Sequence, residues 1–149
     1  ALALAAVERD PGLVARFAGA VLTPNPAELS LMLGGRAVDD PLACARDAAR
    51  RFSGVVSLGG GESVIAAPDG SAWHETAGSV GLGVSGSGDA EAGVVAGLLA
   101  RGADAAQAAV WAAHLHGTAG DHLATRLGRV GYLAREVVDE VPVVLSQYD

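Results

Sequence analysis

A glycine-rich segment, residues 76–89, leads directly into a helix of small residues that the sequence predicts over residues 90–101. Five of its fourteen residues are glycine, and a run of this kind favours a loop over the interior of a strand or helix. Where such a loop meets a helix N-terminus, free backbone N–H groups and the positive end of the helix dipole can bind an anion. The segment therefore predicts a phosphate site at the start of this helix.

The rest of the chain has the pattern of a layered α/β domain. Its 149 residues suit one domain, and half of them are hydrophobic although only 4% are aromatic. Short apolar runs predict strands over residues 19–23, 54–58, 63–67 and 71–74, the last two joined by the turn Pro68-Asp69-Gly70. Helices are predicted in two short pieces within residues 1–18, and over residues 27–33, 40–51, 105–126 and 131–141.

The charge and cysteine content restrict the partners and the setting of the protein. A formal net charge of −7 argues against nucleic acid and anionic membranes as partners, because both need a basic face. All ten cationic residues are arginine, so a phosphate must be bound by arginine, by backbone N–H groups or by a metal ion. The single cysteine, Cys44, is predicted to be a small buried residue. Without an apolar run of about 20 residues or a basic signal region, the sequence predicts a cytoplasmic protein, and its Ala-rich helices allow a homo-oligomer.

Asp89 lies at the mouth of the predicted anion site, where its charge cannot favour a phosphate. General acid/base chemistry or Mg²⁺ coordination would explain a carboxylate there, and a role as helix N-cap is the structural alternative. In either case Gly86, Ser87 and Gly88 would present main-chain donors to the anion.

The same loop also contains the letters of the dinucleotide fingerprint, in Gly81-Leu82-Gly83-Val84-Ser85-Gly86. That motif follows a buried apolar strand, whereas the stretch before Gly81 is polar and turn-like. We therefore expect a nucleotide here without a Rossmann turn.

Four patterns occur in a fixed order along the chain. They are Leu22-Thr23-Pro24-Asn25-Pro26-Ala27-Glu28, the loop from Gly81 to Asp89, the helical run of residues 92–102, and His114-Leu115-His116-Gly117 followed by Ala119-Gly120-Asp121. Together they resemble the ADP/ATP-dependent NAD(P)H-hydrate dehydratase branch of the ribokinase-like superfamily. The resemblance implies a ribokinase-like layered α/β/α sandwich in which residues 1–149 are the C-terminal portion of a single nucleotide-binding domain, with the N-terminal part of the sheet missing.

The resemblance also implies an activity, the removal of water from NAD(P)H-hydrate in a nucleotide-dependent repair reaction. ADP or ATP would be the cofactor, with Mg²⁺ as an accompanying ion. Asp89 would be the catalytic acid/base and would face the substrate hydroxyl together with Asn25. The nucleotide-binding residues would be Gly86, Ser87 and Gly88, with Gly59, Gly60, Gly61 and Ser63.

Two departures from the family pattern leave alternatives open. Asn25 replaces the histidine of a Thr-Pro-His-Pro motif and cannot transfer a proton near neutral pH. The stretch Gly59-Gly60-Gly61-Glu62-Ser63 replaces Lys-Gly-x-x-Thr, so a phosphate-facing cation is lost and an acid is added. A ribokinase-like kinase for a hydroxymethylpyrimidine or thiazole alcohol, or a catalytically degenerate nucleotide-binding remnant, are the alternatives.

Histidines are not expected to form a metal site in this chain. His114 and His116 are two positions apart on one predicted helix and therefore point to different faces. We expect packing or surface roles for both, and no metal ligands are predicted from protein side chains alone.

Overall fold

The computed structural model describes residues 2–17 and 19–148, and a four-stranded sheet lies at its centre. The strands are β1 (Val21–Leu22), β2 (Val55–Leu58), β3 (Ser63–Ala66) and β4 (Ala72–Glu75), which lie side by side in that order. β1 pairs with β2 in parallel, whereas β2, β3 and β4 form an antiparallel meander. The parallel pair requires a crossover, which two helices provide.

Seven α-helices surround the sheet in the described part of the chain. They are α1 (Leu2–Arg9), α2 (Gly12–Ala15), α3 (Pro26–Met32), α4 (Pro41–Phe52), α5 (Ser87–Ala100), α6 (Ala105–Leu127) and α7 (Ala134–Leu145). Short 3₁₀ turns lie at Val80–Gly83 and Ser146–Tyr148. No helix within these described ranges combines the length and apolar character that a bilayer crossing requires.

The two faces of the sheet pack against different helices. Val56 and Leu58 of β2 share a buried cluster with Cys44 and Phe52 of α4. Val55, on the opposite face of the same strand, packs in another cluster with residues of α6. This alternation follows from the two-residue period of a strand, and it buries every side chain of β2. The layered α/β/α arrangement and the burial of Cys44 are therefore confirmed.

Side chains and prolines fix the starts of three helices. Asp40 accepts a hydrogen bond of 3.0 Å from the Ala43 N–H before α4. Asp104 accepts one of 2.8 Å from the Gln107 N–H before α6. Asn25 caps α3 in a reciprocal arrangement described below. Each contact satisfies an N–H group that the first helical turn leaves without an intrahelical partner.

Three predicted elements differ from the structure by more than one residue at an end. α5 begins at Ser87, three residues before the predicted start at Ala90. β1 covers only two residues, because Gly19 adopts a φ of 74° and Pro24 has no N–H to pair. Of the predicted helical region 1–18, Ala1 and Ala18 lie outside the described residues.

The third error concerns the last helix, which was expected to end before Pro142 but continues through it to Leu145. Pro142 itself is exposed. Val137 and Val144, on either side of it, are fully buried and pack in one cluster with Leu115 and Leu123 of α6. Burial of this apolar face outweighs the loss of one backbone hydrogen bond.

Candidate active site

The start of α5 is a helix N-terminus whose N–H groups are left open. The N-cap residue is Gly86, whose φ of 88° suits glycine and which has no side chain to accept a hydrogen bond. The Ser87 N–H donates to the Val84 carbonyl at 3.1 Å, so the expectation that Ser87 presents this group to an anion is wrong. Within the described ranges, the N–H groups of Gly88 and Asp89 have no hydrogen-bond partner.

Asp89 is the third residue of α5, and its side chain is exposed. Because Gly86 occupies the capping position, the alternative of Asp89 as the N-cap is wrong. Its carboxylate has no ion pair or hydrogen bond to any other described residue, so it remains available to a ligand. The structure thus places a carboxylate without a partner beside two N–H groups that donate to no other described residue.

Ser87 points the other way, into the protein. Its Oγ lies 3.0 Å from Nε2 of His116 on α6, and both residues are buried. Burial lowers the pKa of His116, against a smaller opposing effect of the contact with Ser87. From the sequence, only a packing or surface role is predicted for His116, because no sequence pattern pairs it with Ser87.

His114 lies on another face of α6, so the prediction that the two histidines do not share a site is confirmed. Its Nδ1 is 2.9 Å from Oε2 of Glu75, and its Nε2 is 2.6 Å from the Tyr148 hydroxyl. Burial would raise the pKa of Glu75, but hydrogen bonds from the Ala77 N–H and from His114 outweigh it, so that this pKa is lowered.

A buried carboxyl group beneath the site was not found from the sequence. The Ser57 hydroxyl of β2 donates a hydrogen bond of 2.9 Å to Oε1 of Glu91 on α5. Burial raises the pKa of Glu91, and the bond from Ser57 opposes that effect only in part. Oε2 of Glu91 lies 3.9 Å from the place where a Cβ on Gly59 would be. The signal that could have revealed Glu91 is an acid two residues after Asp89 in a helix otherwise made of small and apolar residues.

The glycine triplet (Gly59, Gly60 and Gly61) follows β2 and lines a pocket of about 640 Å³. Arg46 and Trp73 also line this pocket, whereas no residue of the Gly-Ser-Gly-Asp loop (Gly86, Ser87, Gly88 and Asp89) does. The two loops predicted to bind phosphate, the glycine triplet and the Gly-Ser-Gly-Asp loop, therefore do not line one cavity. Glu91 of α5 lies close to the glycine triplet. Ser63 is half-buried at the start of β3.

Glu62, the acid that this sequence adds beside the glycine triplet, has a local partner. Its Oε2 lies 2.6 Å from Nε2 of His74 on β4, and both side chains are more than half exposed. Glu62 therefore contacts the neighbouring strand β4 beside the glycine triplet.

Asn25 is exposed and forms a capping box with Glu28. Its Oδ1 accepts the Glu28 N–H at 2.9 Å, and Oε2 of Glu28 accepts the Asn25 N–H at 2.9 Å. Glu28 thus lies in the first turn of α3 and satisfies the N–H of the capping residue. The Asn25 side-chain NH₂ group lies outside this box and is the part of the residue that a substrate could contact.

The glycine-rich loop is fastened to α6 by close approach and by hydrogen bonds. A side chain at Gly117 would overlap the backbone of Ala77, and one at Gly120 would lie 2.7 Å from Leu82. The Gly78 N–H donates to Oδ2 of Asp121 at 2.9 Å. Asp121 therefore holds the loop.

The loop is not the turn of a Rossmann fold, which confirms the rejection of that motif. The stretch that matches the dinucleotide fingerprint begins inside the 3₁₀ turn Val80–Gly83, and no strand directly precedes this turn. No group of three or more His, Cys, Asp and Glu side chains in residues 2–17 and 19–148 is arranged to bind a metal.

Comparison with known proteins identifies the family. The family model of the NAD(P)H-hydrate dehydratases matches residues 1–143. The chain belongs to this family. The ADP-dependent (S)-NAD(P)H-hydrate dehydratase of Xanthomonas campestris is 45% identical over 130 residues, which cover 85% of this chain and 45% of that protein. A bifunctional NAD(P)H-hydrate repair enzyme of Moorella thermoacetica is 39% identical over 132 residues, 87% of this chain and 25% of that protein.

Solved structures of NAD(P)H-hydrate dehydratases have the same fold. The ADP/ATP-dependent NAD(P)H-hydrate dehydratase of Bacillus subtilis, crystallised with ATP and Mg²⁺, superposes with a TM-score of 0.81 at 30% identity, over 87% of this chain and 48% of that one. A ribokinase-like superfamily protein of Enterococcus faecalis, at 22% identity, supports the fold with a TM-score of 0.81 over 99% of this chain and 51% of that one. The ribokinase-like fold is thus confirmed, and the chain spans about half the length of these dehydratases.

Proposed function

We propose that this chain carries the phosphate-binding and acid/base part of an ADP/ATP-dependent NAD(P)H-hydrate dehydratase, a hydro-lyase of metabolite repair. Residues 1–149 would be the C-terminal portion of one ribokinase-like domain. The observation that carries the proposal is the exposed Asp89 carboxylate beside the open N–H groups of Gly88 and Asp89. Its family membership supplies the substrate class.

In the proposed reaction Asp89 is the catalytic acid/base. Its carboxylate accepts the proton of the hydrate hydroxyl while that oxygen forms a bond to the terminal phosphorus of the nucleotide and the nucleotide's own P–O bond breaks. The C–O bond of the hydrate then breaks with departure of phosphate, and transfer of a proton from the neighbouring carbon to solvent water restores the double bond. The elements of water are removed in this way at the expense of one nucleotide phosphoanhydride bond.

The N-terminus of α5 binds the transferring phosphate in this proposal. The N–H of Gly88 donates to it, and the helix dipole stabilises the negative charge that develops. An exposed carboxylate beside phosphate oxygens is a donor set that suits Mg²⁺, which would neutralise phosphate charge when bound. The glycine triplet and Ser63 complete the nucleotide site, and the Asn25 NH₂ group contacts the substrate.

The remaining expectations fit small metabolites. The net charge of −7 supports NAD(P)H-hydrate and an adenine nucleotide over nucleic acid or an anionic membrane as partners. We propose a cytoplasmic location, where both metabolites occur, and a homo-oligomer as the assembly.

The test is the substitution Asp89→Asn in the full-length protein. We expect kcat for recovery of NADH absorbance from NADH-hydrate to fall by about 100-fold or more, while the Kd for ADP or ATP changes by less than about threefold. Asp104→Asn is the matched control, because it replaces another exposed acid in a helix start and keeps the capping oxygen. Unchanged turnover in Asp89→Asn would remove the proposed role of Asp89.

The same assay separates the alternatives. Nucleotide consumption on hydroxymethylpyrimidine or thiazole alcohols, without recovery of NADH, would identify a kinase. Nucleotide binding without turnover on any of these substrates would identify a degenerate remnant.

A further inference from the structure

A buried contact lies directly behind the proposed phosphate site. Oγ of Ser87 and Nε2 of His116 are 3.0 Å apart, and the two residues are only 6% and 8% exposed. The next two residues of α5, Gly88 and Asp89, are exposed. The Ser87 hydroxyl is therefore not a ligand group, and it joins the first turn of α5 to the middle of α6.

The backbone around Ser87 is held locally by hydrogen bonds from the Ser87 N–H to the Val84 carbonyl and from the Ala90 N–H to the Gly86 carbonyl, but the residues on either side of Ser87 are intrinsically flexible. Glycines lie on both sides of it, and glycine accepts a much wider range of φ and ψ than other residues. Gly86 also has no side chain that could cap the helix. The direction in which the Gly88 N–H and the Asp89 carboxylate point depends, as a result, on what holds Ser87.

α6 offers a rigid support for this purpose. The helix contains 23 residues, and His116 lies between the buried Leu115 and Gly117, the residue that packs against Ala77. A neutral imidazole has one donor and one acceptor nitrogen, and a hydroxyl can pair with either. Burial lowers the pKa of His116, so the ring adds no charge behind the site near neutral pH.

We propose that His116 is a positioning residue, which holds the Ser87 hydroxyl and so directs the Gly88 N–H and the Asp89 carboxylate toward one ligand. The inference rests on the proposed function, since the ligand is the nucleotide phosphate. His116 itself does not touch the reacting atoms.

The first experiment compares two substitutions of His116 in the full-length protein. His116→Phe keeps a ring and removes the polar atom, and we expect the Kd for ADP or ATP to rise about tenfold or more and kcat to fall similarly. His116→Gln retains a polar atom near the position of Nε2 and should restore both values to within about threefold of the original protein. If His116→Phe binds and turns over normally, the inference is wrong.

The second experiment separates positioning from stability. The double variant S87A/H116F removes both polar partners, so no buried group is left without a hydrogen bond, and its unfolding free energy should be close to that of the original protein. We expect its Kd for nucleotide to stay raised. Recovery of stability and nucleotide affinity together would show that the contact is only structural and would overturn the inference.

His122→Phe is the matched control, because it makes the same substitution on the same helix and removes a contact of similar length, 3.1 Å, to Glu140 of α7. It should lower stability and leave the nucleotide Kd unchanged, and an equal rise in Kd would again overturn the inference. If the original protein neither binds nucleotide nor recovers NADH, the proposed function falls and this inference with it. If the original protein binds nucleotide and recovers NADH, but the His116 variants have the same Kd and kcat as the control variant, only this inference is wrong.

Discussion

The Ser57 hydroxyl donates a 2.9 Å hydrogen bond to Glu91, and this contact joins the central strand β2 to α5 inside the protein. Both residues are buried, at 0% and 6% exposure. Few carboxyl groups are buried to this extent without a cationic partner. This burial makes the stability of the folded protein depend on pH.

Glu91→Gln should make the protein less sensitive to rising pH. Burial raises the pKa of Glu91 in the folded state above its unfolded value, so the stability linked to its proton is fully present below the unfolded value of about 4.3 and is lost as pH rises through the folded pKa. Urea unfolding of both proteins between about pH 4 and 8 should show Glu91→Gln gaining relative stability toward higher pH. A constant difference across that range would contradict the raised pKa of Glu91.

Gly117→Ala should destabilise the protein and displace the glycine-rich loop. The new Cβ would overlap the backbone of Ala77, and forced overlap of this kind costs about 1 to 3 kcal/mol or more. Gly93→Ala is the matched control, since Gly93 lies in α5 with open space around it, and it should stabilise the helix by about 0.5 to 1 kcal/mol. Thermal unfolding of the pair measures the difference; equal effects would show that the loop does not pack closely on α6.

Asn25 has a capping oxygen and a free amide, which two substitutions can separate. Asn25→Ala removes both and should cost about 1 kcal/mol of stability, whereas Asn25→Asp keeps an oxygen acceptor for the Glu28 N–H and should cost little. If the amide contacts substrate, KM for NAD(P)H-hydrate should rise in both variants. An unchanged KM in Asn25→Asp would limit Asn25 to capping.

Pro142→Ala should stabilise α7. Pro142 lies inside this helix, where it cannot donate to the carbonyl one turn earlier, and alanine at such a position is favoured by about 1 to 3 kcal/mol. Pro41→Ala is the control, because Pro41 is the first residue of α4, where the missing N–H has no intrahelical partner in any case. Denaturant midpoints should rise for Pro142→Ala and stay nearly constant for Pro41→Ala.

The elements of the fold were predictable where local chemistry determines them. The apolar run at β2, the turn before β4 and the cap Asp104 all depend on residues adjacent in sequence. The continuation of α7 past Pro142 was not predictable, because it depends on Val144 packing against a helix that is distant along the chain. A proline alone normally ends such a pattern.

The site shows the same division. The open N–H groups near Asp89 follow from a glycine loop at a helix start, which the sequence displays directly. The contacts of Ser87 with His116 and of Ser57 with Glu91 span 29 and 34 residues, and only the tertiary packing of α5 beside α6 and near β2 brings these partners together. Polar contacts between residues so far apart along the chain leave no local sequence pattern that predicts them.

The N-cap residue of α5, Gly86, has no capping side chain, whereas the N-cap residues of α3, α4 and α6 each cap their helix with a side-chain oxygen. An anion bound there would act as the missing cap, so ligand binding and ordering of the first turn of α5 would be one event. Amide hydrogens at Gly88 and Asp89 should then exchange more slowly with ADP or ATP present, while those at the start of α6 keep their rate.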